Sequence, residues 1–203
     1  MQAGRVIKSL ERNNIPAIYI KTKEEAVEKA LSLIPKGSKV GHGGSLTLKQ
    51  IGIIDALRAG DFRFIDFTKP EINQEEREKL FKESLLADVF LMSTNALTLD
   101  GKLVNIDGNG NRVAALSYGP SKVIIVAGVN KIVVDYEAAI QRIKNYVTPI
   151  HAKRRDRPLP CAETGSCVDC RVELRSCNIV TIIEHQRRTD RITVIICGEE
   201  LGI

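Results

Sequence analysis

Short, uninterrupted apolar runs constrain the fold of this chain more than any other feature. Residues 89–93 read VFLMS and residues 122–127 read KVIIVA, and neither run alternates between polar and apolar side chains. A strand that is apolar on both faces needs cover on both, which is typical of parallel sheets flanked by helices. The two runs therefore predict a buried parallel sheet.

The surrounding segments alternate between strand patterns and helix patterns. Thr22 and Glu25 form a capping box that predicts a helix to residue 34. Further helix patterns cover residues 47–57, 74–87, 113–118 and 135–146, and further strand patterns cover 17–20, 39–42, 62–67 and 191–196. Repeated strand–helix units predict an α/β protein, a three-layer α/β/α sandwich with a mostly parallel sheet.

Length and charge limit the class of protein. We expect a single domain over residues 1–203, with a helix-and-strand beginning at 1–37 and a cysteine-rich tail with a terminal strand at 151–203. The net charge of +5 is spread along the chain, which permits an anionic small molecule and argues against nucleic acid. Neither a signal peptide nor a membrane-length apolar run is visible, so we expect a cytoplasmic protein without membrane contact.

A glycine-rich loop follows the predicted strand at 39–42. It contains Gly43, Gly44, Ser45 and Thr47 directly before a predicted helix. Ligands of parallel α/β sheets collect where strand carboxyl ends meet helix amino termini, and glycine lets the backbone approach an anion there. The loop lacks the lysine of a P-loop. It therefore predicts either an anion site or a tight turn with a Ser or Thr cap.

A second polar stretch, residues 93–112, also precedes a predicted helix. The residues expected to line a pocket are Asn95, Asp100, Asn105, Asp107, Gly108 and Arg112. Asp100 and Asp107 are the candidate catalytic bases, and Arg112 is suited to pair with a carboxylate or phosphate. The same residue types are also those that turns and caps require, so both interpretations stay open.

The chain resembles the lactate-utilisation (LUD) domain family in three segments: GHGGSLTLKQIGIIDAL, STNALTLDGKLVNIDGNGNRVAALSYGPSKVIIVAGVNKIV and CAETGSCVDCRVELRSCNIVTIIE. The resemblance implies a sugar-isomerase and CoA-transferase-like α/β/α fold. It also implies a link to iron–sulfur systems that oxidise lactate to pyruvate, to which some members belong. The chain lacks the ferredoxin-like cysteine runs of the large subunit of such systems, so it is similar to the stand-alone short members.

A compact group of cysteines lies near the end of the chain, at Cys161, Cys167, Cys170 and Cys177. Two residues between cysteines let both sulfurs face one ion, so the group is a candidate site for zinc or an iron–sulfur cluster. The spacing matches neither a common zinc knuckle nor a ferredoxin. A redox-active dithiol set and unligated thiols therefore stay open as alternatives, and Cys197 in an apolar strand is expected in the core.

Two hypotheses about function remain. In the first, the chain is an enzyme or an oxidoreductase subunit in lactate or related organic-acid utilisation. It would hold a small anionic or phosphorylated metabolite and work with partner subunits of an iron–sulfur oxidoreductase or as a homo-oligomer. In the second, it is a non-catalytic accessory protein that senses a metabolite or redox state. The basic run at 151–157 is interpreted as a solvated connector, because no aromatic stacking platform for nucleic acid accompanies it.

Overall fold

Ten strands form two sheets in the structure, a computed structural model that describes residues 2–203. In chain order they are β1 (Ala17–Ile20), β2 (Lys39–His42), β3 (Arg63–Phe64), β4 (Val89–Met92), β5 (Ala96–Thr98), β6 (Leu103–Asp107), β7 (Lys122–Gly128), β8 (Ile132–Val133), β9 (Ile179–Ile183) and β10 (Ile192–Cys197). The larger sheet has the order β1-β10-β7-β4-β2-β3, and all of its neighbouring strands are parallel. The two apolar runs become β4 and β7, which lie side by side at its centre.

Helices cover the two sheets and connect their strands, with α1 to α4 on the larger sheet and α7 on the smaller one. They are α1 (Gln2–Arg12), α2 (Lys23–Ser32), α3 (Leu46–Gln50), α4 (Ile53–Ala59), α5 (Gln74–Ser84), α6 (Asn111–Ser117), α7 (Tyr136–Arg142), α8 (Thr148–Arg154) and α9 (Pro160–Thr164). Within residues 2–203, none of the helices has the length and apolar character needed to cross a membrane. The capping box at Thr22 and Glu25 is present at the start of α2, as predicted.

Two apolar clusters lie on opposite faces of the larger sheet. Phe90 and Met92 of β4 pack with α1 on one face. Val89 and Leu91 of the same strand pack with α2, α3 and α4 on the other face. Alternate residues of one strand are therefore buried in different layers, which confirms the predicted three-layer α/β/α sandwich.

The smaller sheet was not predicted as a unit. Its order is β8-β5-β6-β9, with antiparallel pairing of β6 to β5 and to β9. The sequence contains a signal for the hairpin between β5 and β6, because Asp100 and Gly101 are typical of a hairpin turn, whereas β9 was not predicted. β9 lies directly after the cysteine group, and its pairing with β6 attaches the end of that group to the polar stretch at 93–112.

Several predicted boundaries differ from the structure. The helix predicted at 47–57 is divided into α3 and α4, because Gly52 adopts a left-handed φ of 77° between them. The strand predicted at 62–67 is reduced to β3. The helix predicted at 135–146 continues past α7 through a π-helical turn, Ile143–Val147, into α8. Much of the basic run at 151–157 is therefore helical and not a connector.

Candidate functional site

A buried lysine lies at the carboxyl ends of the central strands. Lys131 ends the short 3-10 helix after β7 and is 4% exposed. Its Nζ atom donates to Thr47 Oγ1 at 3.0 Å, to Ser93 Oγ at 2.9 Å and to the Thr94 carbonyl at 3.2 Å. Thr47 follows β2, and Ser93 and Thr94 follow β4. One amine therefore joins the segments that leave three parallel strands, where ligands of such sheets collect.

The protonation of Lys131 is shifted by its surroundings. Burial, together with the positive charges of Arg142 and Arg112, lowers its pKa from 10.5 to about 7. A lysine of this kind is only partly protonated near neutral pH. It can act as an ammonium group that attracts an anion, or as a neutral amine that accepts a proton.

Arg112 forms the second part of the site. Its guanidinium donates to Asp107 Oδ1 and Asn95 Oδ1, each at 2.9 Å, and also to Asn105 Oδ1. The other carboxylate oxygen of Asp107 accepts from the Val113 amide at 3.1 Å. The structure thus brings together four of the residues predicted to line a pocket. Both oxygens of Asp107 are engaged, and its role as a catalytic base stays a prediction.

Two further groups complete the site. Arg142 in α7 donates to the Asn95 carbonyl at 3.0 Å and to the Asn130 carbonyl at 3.2 Å. Asn105 is fully buried, and its amide nitrogen Nδ2 has no hydrogen-bond partner within residues 2–203. A buried donor without an acceptor is uncommon and marks a place where a ligand oxygen would be favourable. We call Thr47, Ser93, Asn95, Asn105, Asp107, Arg112, Lys131 and Arg142 the basic cluster.

The predicted glycine-rich loop reaches the basic cluster only in part. A Cβ atom on Gly43 would lie 3.1 Å from Cγ and Cδ of Arg112, so the loop packs on the stem of that side chain. Gly44 lies near Phe67, and Ser45 Oγ accepts from the Leu48 amide as the cap of α3. Within this loop, Thr47 makes the side-chain hydrogen bond to Lys131. Ser45 therefore serves the cap that the alternative interpretation predicted.

Asp100 and Gly108 lie apart from the contacts of Lys131. Asp100 is at the β5–β6 turn, where its side chain is 56% exposed and pairs with Lys102 at 3.4 Å. Burial acts to raise the pKa of Asp100, but hydrogen bonds from Thr98 and Lys102 outweigh it and hold that pKa below its usual value. The Gly108 carbonyl accepts from Asn178 Nδ2 at 3.2 Å. Asp100 therefore stabilises a turn, and Gly108 contacts the segment after the cysteines.

The predicted cysteine ligands lie in and after α9. Cys161 is buried, Cys167, Cys170 and Cys177 are half-buried, and all four are free thiols. Burial, followed by the neighbouring thiols of Cys170 and Cys177, raises the pKa of Cys161. Within residues 2–203, no three His, Cys, Asp or Glu side chains are already arranged around a common point as metal ligands.

Sequence reasoning missed Lys131 and Arg142. Lys131 is the first cation after the apolar run of β7, a position at the ligand-binding edge of a parallel sheet, and this signal was present in the sequence. Arg142 gave no comparable signal, because it lies within an ordinary amphipathic helix.

His42, at the end of β2, stacks on Phe67 with ring centroids 4.2 Å apart, and burial lowers its pKa to about 4. It is therefore neutral at ordinary pH.

Comparison with known proteins extends over nearly the whole chain. The family model described as LUD domain matches residues 3–197. The structure of a DUF162 family protein from Deinococcus radiodurans is similar with a TM-score of 0.52 and 16% identity, covering 97% of this chain and 96% of that one. At this identity the likeness concerns the fold alone. None of the curated proteins matches.

Two structures from Chaetomium thermophilum are more distantly similar. The eIF2B delta structure gives a TM-score of 0.37 at 17% identity, covering 59% of this chain and 50% of that one. A chain of the tetrameric eIF2B-beta2-delta2 complex gives a TM-score of 0.44 at 15% identity, covering 86% of this chain and 55% of that one.

Proposed function

We propose, from the premise that this chain belongs to the LUD domain family, that its basic cluster binds a small organic anion. The family suggests a role related to lactate utilisation. Binding of a carboxylate or phosphorylated metabolite at the basic cluster is the specific part of the proposal. Such binding would make the chain a component of lactate or related organic-acid utilisation.

The buried amine of Lys131 is the observation that carries the proposal. A lysine that is almost fully buried is normally paired with a carboxylate, because an isolated charge is costly to remove from water. Lys131 instead contacts two hydroxyl groups and a carbonyl, and it has no acidic partner within residues 2–203. An anion that entered would supply the missing negative charge.

The charges around Lys131 point in the same direction. Arg112 and Arg142 add two permanent positive charges, and Asp107 is the carboxylate that pairs with Arg112. The repulsion among these cations contributes to the low pKa of Lys131. An anionic ligand would relieve the repulsion and favour the ammonium form. Affinity for the anion should therefore fall as the pH rises above 7.

The hydrogen-bond donors suit a carboxylate in particular. The hydroxyl groups of Thr47 and Ser93 accept from Lys131 Nζ, so their own protons can be donated to a ligand, and Asn105 Nδ2 is a buried donor without an acceptor within residues 2–203. A carboxylate has two oxygens that accept several hydrogen bonds, and a phosphate has more. Donors from an amide and two hydroxyl groups, beside the charge of the Lys131 ammonium, match this requirement.

A segment near residue 202 borders the cluster. The Gly202 amide donates to Gln50 Oε1 at 2.6 Å, and Asn130 Oδ1 accepts from the Leu201 amide at 3.1 Å. A Cβ atom on Gly202 would lie 3.1 Å from Lys131 Nζ and would clash with Thr47 Oγ1. Residues 201–203 therefore lie against one side of the basic cluster, next to Lys131 and Thr47.

The proposal is tested by direct binding to the full chain. Isothermal titration with lactate, pyruvate, glycolate and a sugar phosphate compares the unchanged protein with Lys131→Met. Lys122→Met is the matched control, because Lys122 begins β7, whereas Lys131 follows the other end of β7, and Lys122 is partly buried. We expect one or more of these anions to bind to the unchanged protein and the control, and binding to Lys131→Met to weaken at least about tenfold, as loss of a buried charged contact implies.

Two results would contradict the proposal. The first is equal affinity of Lys131→Met and the unchanged protein for every anion that binds. The second is the absence of binding by any of the four anions at pH 6.5, where the ammonium form of Lys131 is favoured.

A further inference from the structure

We propose that four thiols of the C-terminal segment form one binding site for a thiophilic, tetrahedrally coordinated metal ion, with Cys161, Cys167, Cys170 and Cys177 as ligands. This site is separate from the basic cluster, and it does not depend on the anion that the basic cluster binds. Zinc and iron are the metals that four thiolates favour. Three features of the structure support the site: the turn between two of the cysteines, an arginine that holds three parts of the loop, and one helix that anchors three cysteines.

The first feature is the turn from Cys167 to Cys170. Asp169 adopts a left-handed φ of 45°, which closes the turn although the residue is not glycine. The Asp169 amide donates to Cys167 Sγ at 3.4 Å. This contact fixes the position of the Cys167 sulfur relative to the turn. The turn therefore holds Cys167 and Cys170 close together along the chain, at the spacing that lets two sulfurs face one ion.

The second feature is Arg175, which holds the loop together from within. Its guanidinium donates to the Cys170 carbonyl at 2.6 Å and to the Cys177 carbonyl at 3.2 Å, and it pairs with Asp169 at 3.3 Å. One side chain thus fixes the backbone at Cys170 and Cys177 and the side chain of Asp169, which lies in the turn between Cys167 and Cys170. Its positive charge would also offset part of the negative charge of four thiolates.

The third feature is the helical region from 143 to 154, which anchors three of the cysteines separately. Cys161 packs on Ala152 in a small apolar cluster. The Cys167 amide donates to Asn145 Oδ1 at 3.1 Å, and Cys177 packs against the apolar cluster that contains Ile143. Ala152 and Asn145 are roughly two helical turns apart, which brings their contacts to the same side of the helix. Cys161 and Cys167 are therefore attached to one helical region, and Cys177 packs on an apolar cluster to which that region contributes.

The donor set fits a metal that prefers sulfur. Four thiolates around one divalent ion leave a net negative charge, and Arg157, Arg171 and Arg175 lie in or beside the loop to balance it. In the structure the sulfurs are not yet arranged around a common point. Metal binding would accordingly draw the half-buried Cys167, Cys170 and Cys177 toward Cys161, which is held in the packed helix α9.

The site also has a structural connection to β6. The Asn178 amide, next to Cys177, donates to the Asp107 carbonyl at 2.9 Å, and Asn178 Nδ2 donates to the Gly108 carbonyl. A metal that fixes Cys177 would therefore stabilise the attachment of β9 to β6. We expect this effect on the stability of the tail and not on the identity of the bound anion.

Metal content of the full chain tests the proposal. Protein purified without oxygen is analysed for zinc and iron, and its visible spectrum is recorded before and after replacement of the metal by cobalt. We expect about one metal ion per chain and, with cobalt, the visible bands of a tetrahedral thiolate complex. Zinc or iron at about one ion per chain would each support the site, and the elemental analysis distinguishes the two metals.

Single substitutions then identify the ligands. Cys167→Ser and Cys170→Ser should each lower the affinity for cobalt more than about 100-fold, which exceeds the loss that is typical when only a group behind a ligand is changed. Cys197→Ala is the matched control, because Cys197 is a buried thiol in β10, and it should bind cobalt as the unchanged protein does. Circular dichroism on each variant confirms that it is folded.

A measurement on the unchanged protein avoids the risk of misfolded variants. Zinc should protect all four cysteines from alkylation, measured residue by residue by mass spectrometry, in protein kept reduced. The proposal would be overturned by a chain that binds neither zinc nor cobalt in the reduced state. It would also be overturned if zinc left Cys167 and Cys170 as reactive as before, or if Cys167→Ser retained full affinity.

Discussion

The basic cluster and the cysteine segment are built in opposite ways. In the basic cluster, Lys131 contacts Thr47 across 84 positions of the chain and Ser93 across 38 positions. The proposed cysteine ligands instead lie within one stretch of 17 residues, from Cys161 to Cys177. The first site is formed by the order of strands in a parallel sheet, and the second by turns within one loop. The site that is most visible in the sequence is therefore not the one that the fold organises most tightly.

Loss of Arg112 should have the largest effect on stability. Arg112→Met would leave the buried Asp107 carboxylate and the oxygens of Asn95 and Asn105 without their shared donor. Removal of one partner of a buried ion pair typically costs about 3–5 kcal/mol. We expect a decrease of this size in the free energy of unfolding, measured by urea denaturation.

Arg63→Met is the control for this substitution. Arg63 pairs with Asp88 at 3.5 Å on the surface, with 71% and 55% of the two side chains exposed. Exposed ion pairs contribute about 0–1 kcal/mol. Similar losses in the two variants would contradict the view that the basic cluster is the tightly organised region.

The pH dependence of stability should separate Lys131 from every other lysine. Its pKa is about 7 in the folded protein, whereas a lysine in the unfolded chain titrates near 10.5. Between these values the unfolded state binds more protons, so the free energy of unfolding increases as the pH rises from 7. Below pH 7 the lysine is protonated in both states, and the cost of burying its charge is present in full. The contribution between pH 7 and pH 9 is about 2 kcal/mol.

Lys131→Met should remove this contribution, so its free energy of unfolding should rise less between pH 7 and pH 9 than that of the unchanged protein. Lys122→Met should keep the original dependence. If Lys131→Met and the unchanged protein had parallel pH profiles, Lys131 would be an ordinary lysine and its place at the centre of the basic cluster would be wrong.

Gly202→Ala should open the basic cluster at a smaller cost. Gly202 has a left-handed φ of 71°, and an added Cβ atom would clash with Thr47 Oγ1. The left-handed backbone alone costs about 1 kcal/mol for alanine. We expect residues 201–203 to move away, so that Lys131 reacts several-fold faster with an amine acylating reagent, measured by mass spectrometry.

Gly37→Ala is matched to this variant, because Gly37 has a φ of 70° and nothing within 4 Å of an added Cβ atom. It carries the backbone cost without the clash. Equal Lys131 reactivity in the two variants would show that residues 201–203 do not restrict access.

Substitution of Asp100 should have the smallest effect. Asp100→Asn removes a charge at an exposed turn, and we expect a loss of less than about 1 kcal/mol with unchanged anion binding. Asp107→Asn removes the carboxylate that neutralises Arg112 and should strengthen anion binding, measured by the same titration. If Asp100→Asn alone abolished binding, the predicted catalytic role of Asp100 would be favoured over its role in the turn.

The sequence predicted the sheet well because its evidence is local. The runs that became β4 and β7, and the Thr22 capping box, depend on neighbouring residues alone. The break at Gly52 in the helix predicted at 47–57 was missed, because a single glycine is tolerated within a helix pattern. β9 was missed although residues 179–183 are rich in β-branched side chains, because they directly follow the cysteine group and their partner, β6, is distant in sequence.

The candidate-site residues that lie in the two predicted polar loops were identified from the sequence, and those outside the loops were not. Asn95, Asn105 and Asp107 lie within 17 positions of Arg112 and were identified with it as pocket residues. Lys131 and Arg142 were missed, since their contacts depend on which strand ends lie side by side. Periodicity predicts that a parallel sheet forms, but it does not specify the order of the strands, and that order places Lys131 between Thr47 and Ser93.

Titration of the Lys131 amine tests the central claim most directly. In protein labelled on lysine, NMR would follow the Lys131 side chain as a function of pH, with Lys131→Met used to assign its signal. The account predicts a midpoint near 7 for the free protein and a higher midpoint in the presence of lactate, pyruvate or phosphate, because an anion favours the ammonium form. A midpoint near 10.5 that none of these anions changes would contradict it.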